Sequence, residues 1–186
     1  MGWRASVNVW ITSDAHFNHT KILTYCNRPF ANVDEMNDTI VKNWNETIAK
    51  EDLVYFLGDL CFGDQDVWLN KLNGRIQWIR GNHDRSIGKG RHYYKFLPVF
   101  SVLRYANLSI MLVHDPNDEC VSMIADPKWV IYGHHHNNYP EQYPFFDAEK
   151  KRVNVSVEMT EYKPVSLTLL FDKILEVEYE KKSKRD

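Results

Sequence analysis

Six short apolar runs, rich in β-branched and aromatic residues, constrain how this chain can fold. They lie at 7–12, 53–58, 76–81, 108–114, 128–133 and 153–158. Apolar runs of this length, bounded by polar residues, are typical of buried strands. Helices are predicted between the early runs, at 34–49 with Asp34 as the N-cap and at about 64–72. This alternation predicts an α/β domain with a largely parallel sheet.

From Val99 onward the pattern is richer in strands. The segment VLRYANLSIML predicts a hairpin that turns near Ala106 and Asn107. We therefore expect a second or mixed sheet packed on the first, with helices outside. The 186 residues fit one domain, predicted to span 1–178 and to end in a solvated basic tail at 179–186.

Charge and cysteine content limit the class of protein. Lys and Arg number 23 against 25 Asp and Glu, which argues against non-specific binding to nucleic acid. The three cysteines lack C-x-x-C spacing and fit free thiols in a reducing compartment. No apolar run approaches the ~18 residues of a membrane span. We expect a cytoplasmic protein with no membrane partner.

Five of the six runs end in polar clusters, namely SDAHFNH, GDLCFGD, GNHD, VHDP and GHHHNN. Each cluster alone is more typical of a turn, a helix cap or a core histidine. Ligands bind where the carboxyl ends of strands converge in open α/β sheets, so five such ends together favour one shared site.

The spacing within these clusters suggests which side chains face the site. In an extended chain, residues two apart point the same way, which pairs Asp14 with His16 and His134 with His136. His135 is then expected to point away. Two Asp, one Asn and four His suit Mn, Fe, Co, Ni or Zn better than Ca. Seven ligands exceed the need of one ion, and two ions about 3.5–4 Å apart sharing a carboxylate would use them fully.

The order D-x-H, G-D, G-N-H-D, H, G-H-x-H over residues 14–136 resembles the calcineurin-like metallophosphoesterase superfamily. The surrounding sequence is similar to small single-domain members from bacteria and phages. The resemblance implies a four-layer αββα sandwich of two mixed sheets flanked by helices. It implies two metal ions, Mn favoured and Fe, Zn, Ni or Co as alternatives. The implied ligands are Asp14, His16 and His136 for the first ion, Asn82, His114 and His134 for the second, and Asp59 bridging both.

The same resemblance implies hydrolysis of phosphoester bonds by a hydroxide that bridges the two ions. His83 would face the substrate and donate a proton to the leaving oxygen, with Asp84 holding its ring. His114 departs from the family pattern because Val113, not Gly, precedes it. His92 is the other histidine between GNHD and GHHH, but it follows no apolar run.

Contacts to the substrate are less sharply predicted. Asn82, His19, Arg28 and Arg85 are the candidates to reach a phosphate. A buried ion pair is the open alternative for Arg28. The basic stretch of Arg85, Lys89, Arg91 and Lys95 is either a solvated face or a substrate rim.

The expected substrate is a phosphorylated small molecule or a nucleotide. Two other functions stay open: a phosphodiesterase or nuclease acting on nucleotides or nucleic-acid ends, and a catalytically silent scaffold that binds proteins. The presence of His83, Asp84 and all seven ligand candidates favours an enzyme. Sequence leaves the oligomeric state open.

Overall fold

The computed structural model describes residues 7–84, 94–123 and 129–183. Its strands are Val9–Thr12 (β1), Leu53–Phe56 (β2), Arg75–Trp78 (β3), Tyr94–Phe96 (β4), Phe100–Tyr105 (β5), Leu108–Val113 (β6), Trp129–Tyr132 (β7), Phe146–Asp147 (β8), Arg152–Asn154 (β9) and Val165–Ser166 (β10). Its helices are Ile22–Tyr25 (α1), Val33–Thr47 (α2), Gln65–Leu69 (α3), Glu119–Met123 (α4) and Leu167–Ser183 (α5), with a 3₁₀ turn at Val157–Thr160.

The strands form two mixed sheets. The first has the order β10-β1-β2-β3-β4, with β1 to β4 parallel and β10 antiparallel. The second has the order β5-β6-β7-β9-β8, in which β6, β7 and β9 are parallel and the edge strands β5 and β8 are antiparallel. The predicted hairpin joins β5 to β6, and Ala106 in its turn has a φ of 51°.

Successive side chains of a strand point to opposite faces of its sheet, so the buried residues form separate cores on the two faces of each sheet. Val54 and Phe56 of β2 belong to the core shared with Trp44 of α2. Leu57 belongs to the core between the sheets, with Ile131 of β7 and the first half of α5. The outer face of β6 and β7 packs against residues of α4. The predicted arrangement of helix, sheet, sheet and helix is therefore confirmed.

The ends of several elements differ from prediction. α2 is capped by Asn32, whose side chain accepts a hydrogen bond from Glu35 N at 2.9 Å, so Asp34 lies inside the first turn instead. Asn32 has the extended backbone that an N-cap needs, and Asp34 is already helical. α5 continues to Ser183, so residues 179–183 of the predicted tail are helical.

Most of the basic stretch that follows GNHD lies outside the described residues. This applies to Arg85, Lys89 and Arg91, and to the neighbouring His92, whereas Lys95 lies on β4.

Among the helices that the structure describes, none has the length and apolar character needed to cross a bilayer.

The two sheets meet at the carboxyl ends of their parallel strands. Ser13, just after β1, forms a parallel bridge with Ser156, just after β9. Val157 N donates to Ser13 O at 3.2 Å. This link brings the loops that follow β1, β2 and β3 against those that follow β6, β7 and β9.

Candidate metal centre

The predicted ligands that follow β1 and β7 lie in tight turns, not in extended chain. Four of them have φ values between 51° and 71°, namely Asp14, His16, His134 and His136. These left-handed residues, and not the two-residue period of a strand, turn the side chains toward one point. The ring of His135 stacks on Tyr143 instead, with centroids 3.5 Å apart.

Asp14, His16 and His136 form the first half of the cluster. One ligand atom from each lies within 4.8 Å of the others, and all three residues are buried. Asp14 Oδ1 and His16 Nε2 are buried without a hydrogen-bond partner. Buried polar atoms are nearly always satisfied, so two buried atoms without a hydrogen bond in one cluster make it a candidate cation site. An anionic oxygen and a ring nitrogen are suitable ligands for a divalent transition metal.

Asp59 lies between the two halves. Its Oδ2 is 3.4 Å from His16 Nε2 and 3.5 Å from His114 Nε2. Asp14, Asp59 and His114 make a second group whose ligand atoms lie within 4.8 Å of one another. The other oxygen, Oδ1, accepts a hydrogen bond from His83 N at 2.8 Å. One carboxylate oxygen of Asp59 is thus fixed by backbone and the other faces both groups of histidines.

Asn82, His114 and His134 form the second half. Asn82 Oδ1 lies 2.8 Å from His114 Nε2 and 2.9 Å from His134 Nδ1. His114 Nδ1 lies 2.6 Å from Leu57 O, so a proton on Nδ1 leaves Nε2 free as a ligand. The side chain of His134 is 31% exposed, so this half opens to solvent.

Two residues of the first half, Asp14 and His16, have pKa values that suit metal ligands. Burial raises the pKa of Asp14, but the charge of His136 and of the other site histidines brings it below its ordinary value. Burial lowers the pKa of His16 to about 2. Asp14 is therefore anionic and His16 neutral at neutral pH, which are the protonation states that metal ligands need.

The pKa values of two other predicted ligands, Asp59 and His136, are raised. Burial, reinforced by the charge of Asp14, raises the pKa of Asp59 to about 7. Burial opposes protonation of His136, but Asp14, Cys26 and Glu158 together raise its pKa to about 11. A cation that binds here has to displace these protons.

Contrary to the prediction, the carboxylate of Asp84 does not hold the ring of His83. Its oxygens accept hydrogen bonds from the amides of Asp59 (2.9 Å), Leu60 (3.0 Å) and Gly81 (2.8 Å) and from Trp78 Nε1 (3.2 Å). These four donors orient the carboxylate, and two of them, the amides of Asp59 and Leu60, belong to the loop after β2. Asp84 therefore shapes the backbone that carries Asp59.

His83 lies at the exposed rim of the cluster. Its ring centroid is 5.4 Å from that of His16 and 5.5 Å from that of Phe62. Burial and the charge of His114 lower the pKa of His83, and Asp84 opposes them through its charge alone.

Arg28 is not placed to touch a substrate. Its Nη2 lies 2.7 Å from Glu158 Oε1, and neither side chain is more than 1% exposed. Its nitrogens also donate to Asp14 O at 2.8 Å and to Ala15 O at 2.9 Å. The structure therefore corrects the predicted phosphate contact and shows the alternative, a buried ion pair.

Glu158 is the main residue that sequence reasoning missed. Its oxygens lie 3.0 and 3.1 Å from His136 Nδ1. Ser156, two residues earlier, donates to Asp14 Oδ2 at 3.0 Å. The signal is the alternation of polar residues Asn154, Ser156 and Glu158 in the sixth apolar run, the one run for which no polar cluster is predicted.

Of the two other residues predicted to contact the substrate, His19 lies among the described residues and Arg85 does not. His19 Nδ1 lies 3.2 Å from His16 Nδ1, and the His19 ring stacks on Phe62 with centroids 4.0 Å apart. His19 is thus at the edge of the cluster, with Phe62 as an aromatic neighbour that the motifs did not predict. Arg85 lies outside the described residues.

The chain is similar to proteins of a known family. A family model described as the calcineurin-like phosphoesterase superfamily domain matches residues 7–155. An uncharacterized protein of Methanocaldococcus jannaschii is 46% identical over 167 residues, which cover 87% of this chain and 88% of that protein. The gene 66 protein of a Mycobacterium phage is 39% identical over 84 residues, 42% of this chain and 41% of that protein.

The fold is also found among solved structures. A protein of unknown function from Aquifex aeolicus superposes with a TM-score of 0.72 at 24% identity, and the match covers 91% of this chain and 100% of that one. The family match spans the described strands from β1 to β9 and includes every predicted ligand. The chain belongs to the calcineurin-like phosphoesterase superfamily.

Proposed function

We propose that the protein hydrolyses phosphoester bonds with two divalent ions, Mn²⁺ being the favoured metal. The ligands are those inferred from the motifs: Asp14, His16, Asp59, Asn82, His114, His134 and His136. The observation that carries the proposal is the pair of buried atoms without a hydrogen bond, Asp14 Oδ1 and His16 Nε2, beside the carboxylate of Asp59. Family membership supports metal-dependent phosphoester hydrolysis as the chemistry.

Bound divalent ions supply Lewis-acid polarisation of phosphoryl oxygens and lower the pKa of water, so that a nucleophile exists near neutral pH. The chain's own residues set the geometry around them. Asp84 fixes the loop of Asp59, and Glu158 fixes the ring of His136. His83 stands at the exposed rim, where its ring, when protonated, can donate a proton to the leaving oxygen.

The open side of the site determines which substrates can enter. A cavity of about 290 Å³ adjoins Asn82, His114 and His134, and its other lining residues include Arg80 and Val99. We infer that the substrate approaches from this side as a phosphorylated small molecule or a nucleotide. Because the cavity is open, a phosphodiester on a nucleotide or a nucleic-acid end fits the same site, which keeps phosphodiesterase activity as the second candidate.

The test uses metal-stripped protein reloaded with Mn²⁺ and two chromogenic substrates, p-nitrophenyl phosphate and bis-p-nitrophenyl phosphate. We expect metal-dependent turnover by the wild type and its loss in Asp59→Asn. Asp38→Asn is the matched control, because Asp38 is exposed on α2. The preferred substrate separates monoesterase from diesterase. Bound Mn²⁺ without turnover of either substrate would contradict the proposal and favour a protein-binding scaffold.

A further inference from the structure

We propose that a pocket beside the metal centre binds a second phosphate group of the substrate. This inference rests on the proposed function and adds a substrate class to it. The pocket, called the side pocket below, has a volume of about 290 Å³. It is lined by Asn117, Gln142, Tyr143, Lys150 and Arg152.

A continuous network joins the side pocket to the metal centre. His134 Nε2 lies 3.6 Å from Asp115 Oδ2, and His135 Nε2 lies 3.8 Å from Asp115 Oδ1. His135 Nε2 is also 3.0 Å from Asn117 Nδ2, and its ring stacks on Tyr143. His135, which does not face the ligand cluster, therefore separates that cluster from the side pocket by one ring.

The side pocket has hydrogen-bond donors that no described residue accepts. The Tyr143 hydroxyl accepts from Asn117 Nδ2 at 3.4 Å and from Gln142 Nε2 at 3.2 Å. Two bonds accepted by one hydroxyl leave its own proton to donate. The guanidinium of Arg152 makes no hydrogen bond or ion pair in the described part of the chain, so its five N–H groups are also available.

The acid best placed to neutralise Arg152 is already engaged. Asp147 lies opposite Arg152 in the ladder between β8 and β9. Its Oδ2 pairs with Lys150 at 3.7 Å, and its Oδ1 accepts the amides of Glu149 and Lys150 at 3.0 and 2.8 Å. Arg152 therefore lines the side pocket with a guanidinium that has no ion pair among the described residues.

An anion with several acceptor oxygens fits this set of donors. A phosphate group accepts the paired N–H groups of a guanidinium together with a hydroxyl proton, and charge-assisted bonds of this kind are among the strong ones. Since the neighbouring metal centre takes a phosphoester, the geometry favours a substrate that carries two phosphates on one short linker. A nucleotide with two separate phosphates and a nucleic-acid strand share this chemistry.

The first test compares two substrates that differ by one phosphate: thymidine 5′-(p-nitrophenyl phosphate) and the same compound with a 3′-phosphate. We expect the second phosphate to raise kcat/KM of the wild type about tenfold or more, and Arg152→Gln to abolish that gain. Arg104→Gln, exposed on β5, is the matched control and should keep it. An equal effect of the second phosphate in wild type and Arg152→Gln would overturn the proposal.

A binding measurement separates this proposal from the proposed function. Titration calorimetry with metal-loaded protein compares thymidine 3′,5′-bisphosphate with thymidine 5′-monophosphate, for wild type and both variants. Tighter bisphosphate binding that depends on Arg152, in a protein without turnover, would support the side pocket and refute hydrolysis. Turnover with equal binding of both nucleotides would refute the side pocket and support hydrolysis. A single-stranded trithymidylate that binds more tightly than the bisphosphate identifies a strand as the source of the phosphates.

Discussion

Glu158 Oε1 lies 3.0 Å from His136 Nδ1 and 2.7 Å from Arg28 Nη2, so one buried carboxylate joins a predicted metal ligand to a buried cation. The contact turns the other ring nitrogen of His136 toward Asp14 Oδ1, 3.8 Å away. Arg28 in turn donates to the carbonyls of Asp14 and Ala15. The ion pair between Arg28 and Glu158 thus fixes both the ring of His136 and the loop that carries Asp14.

Replacing Glu158 by Gln should weaken metal binding. Carboxylates that hold a ligating histidine set its orientation and basicity, and their loss costs 10–100-fold in metal affinity, as an order of magnitude. We therefore expect Mn²⁺ affinity, measured by titration calorimetry, to fall by roughly that factor. Glu161→Gln, an exposed change three residues later, should bind as the wild type does. Equal affinity in both variants would show that Glu158 does not position His136.

Replacing Asp84 by Asn should destabilise the fold and displace Asp59. Oδ2 of Asp84 accepts from Asp59 N, Gly81 N and Trp78 Nε1, and Oδ1 accepts from Leu60 N, so an NH₂ group in place of either oxygen faces at least one donor. An unsatisfied buried donor costs about 1–3 kcal/mol, so the free energy of unfolding in urea should fall by about that amount. Asp38→Asn, on the exposed face of α2, should leave it unchanged. Equal midpoints and slopes for the two variants would contradict this role of Asp84.

Replacing Gly133 by Ala should disturb the cluster by crowding. A Cβ at Gly133 would overlap Ser13 Oγ and Asp14 Oδ2. We expect a loss of stability of about 1–3 kcal/mol and a weaker affinity for Mn²⁺. Gly63→Ala separates crowding from backbone strain, because Gly63 has a φ of +104° and nothing within 4 Å of its Cβ position. That variant should lose about 1–2 kcal/mol and bind Mn²⁺ normally. An unchanged metal affinity in Gly133→Ala would refute the prediction.

Asp52 should make stability depend on pH, away from the metal centre. Burial raises the pKa of Asp52, but hydrogen bonds from Trp10 Nε1 and the amides of Ala49 and Asn8 bring it below its ordinary value. The ionised form therefore stabilises the fold, fully above about pH 4 and progressively less as the pH falls through the folded pKa.

The measurement is the free energy of unfolding of wild type and Asp52→Asn between about pH 2 and pH 6. We expect the variant to be less stable by about 1–3 kcal/mol at the upper end. The difference should shrink below about pH 4, where the wild-type carboxylate takes up a proton. A difference that stays constant over the whole range would show that ionisation of Asp52 does not contribute.

The sequence alone predicted most of the framework. Burial selects β-branched and aromatic runs of strand length, so β1, β2, β3, β6, β7 and β9 were located within a few residues. Polar residues at the ends of those runs have to face one edge of a parallel sheet, so the sequence groups the candidate ligands. Even the side chain of His135 was correctly excluded from the cluster, although for a reason that the backbone does not support.

Only the tertiary structure decided how the site is held together. Arg28 and Glu158 are 130 residues apart, and their pairing depends on where two loops close against each other. Asp84 was predicted to hold the ring of its neighbour His83, but in the folded chain its oxygens accept hydrogen bonds from the amides of Asp59 and Leu60. Local patterns record which residues are buried and their spacing. They do not record which buried donor meets which acceptor, because that pairing depends on distances set by the packing of the whole chain.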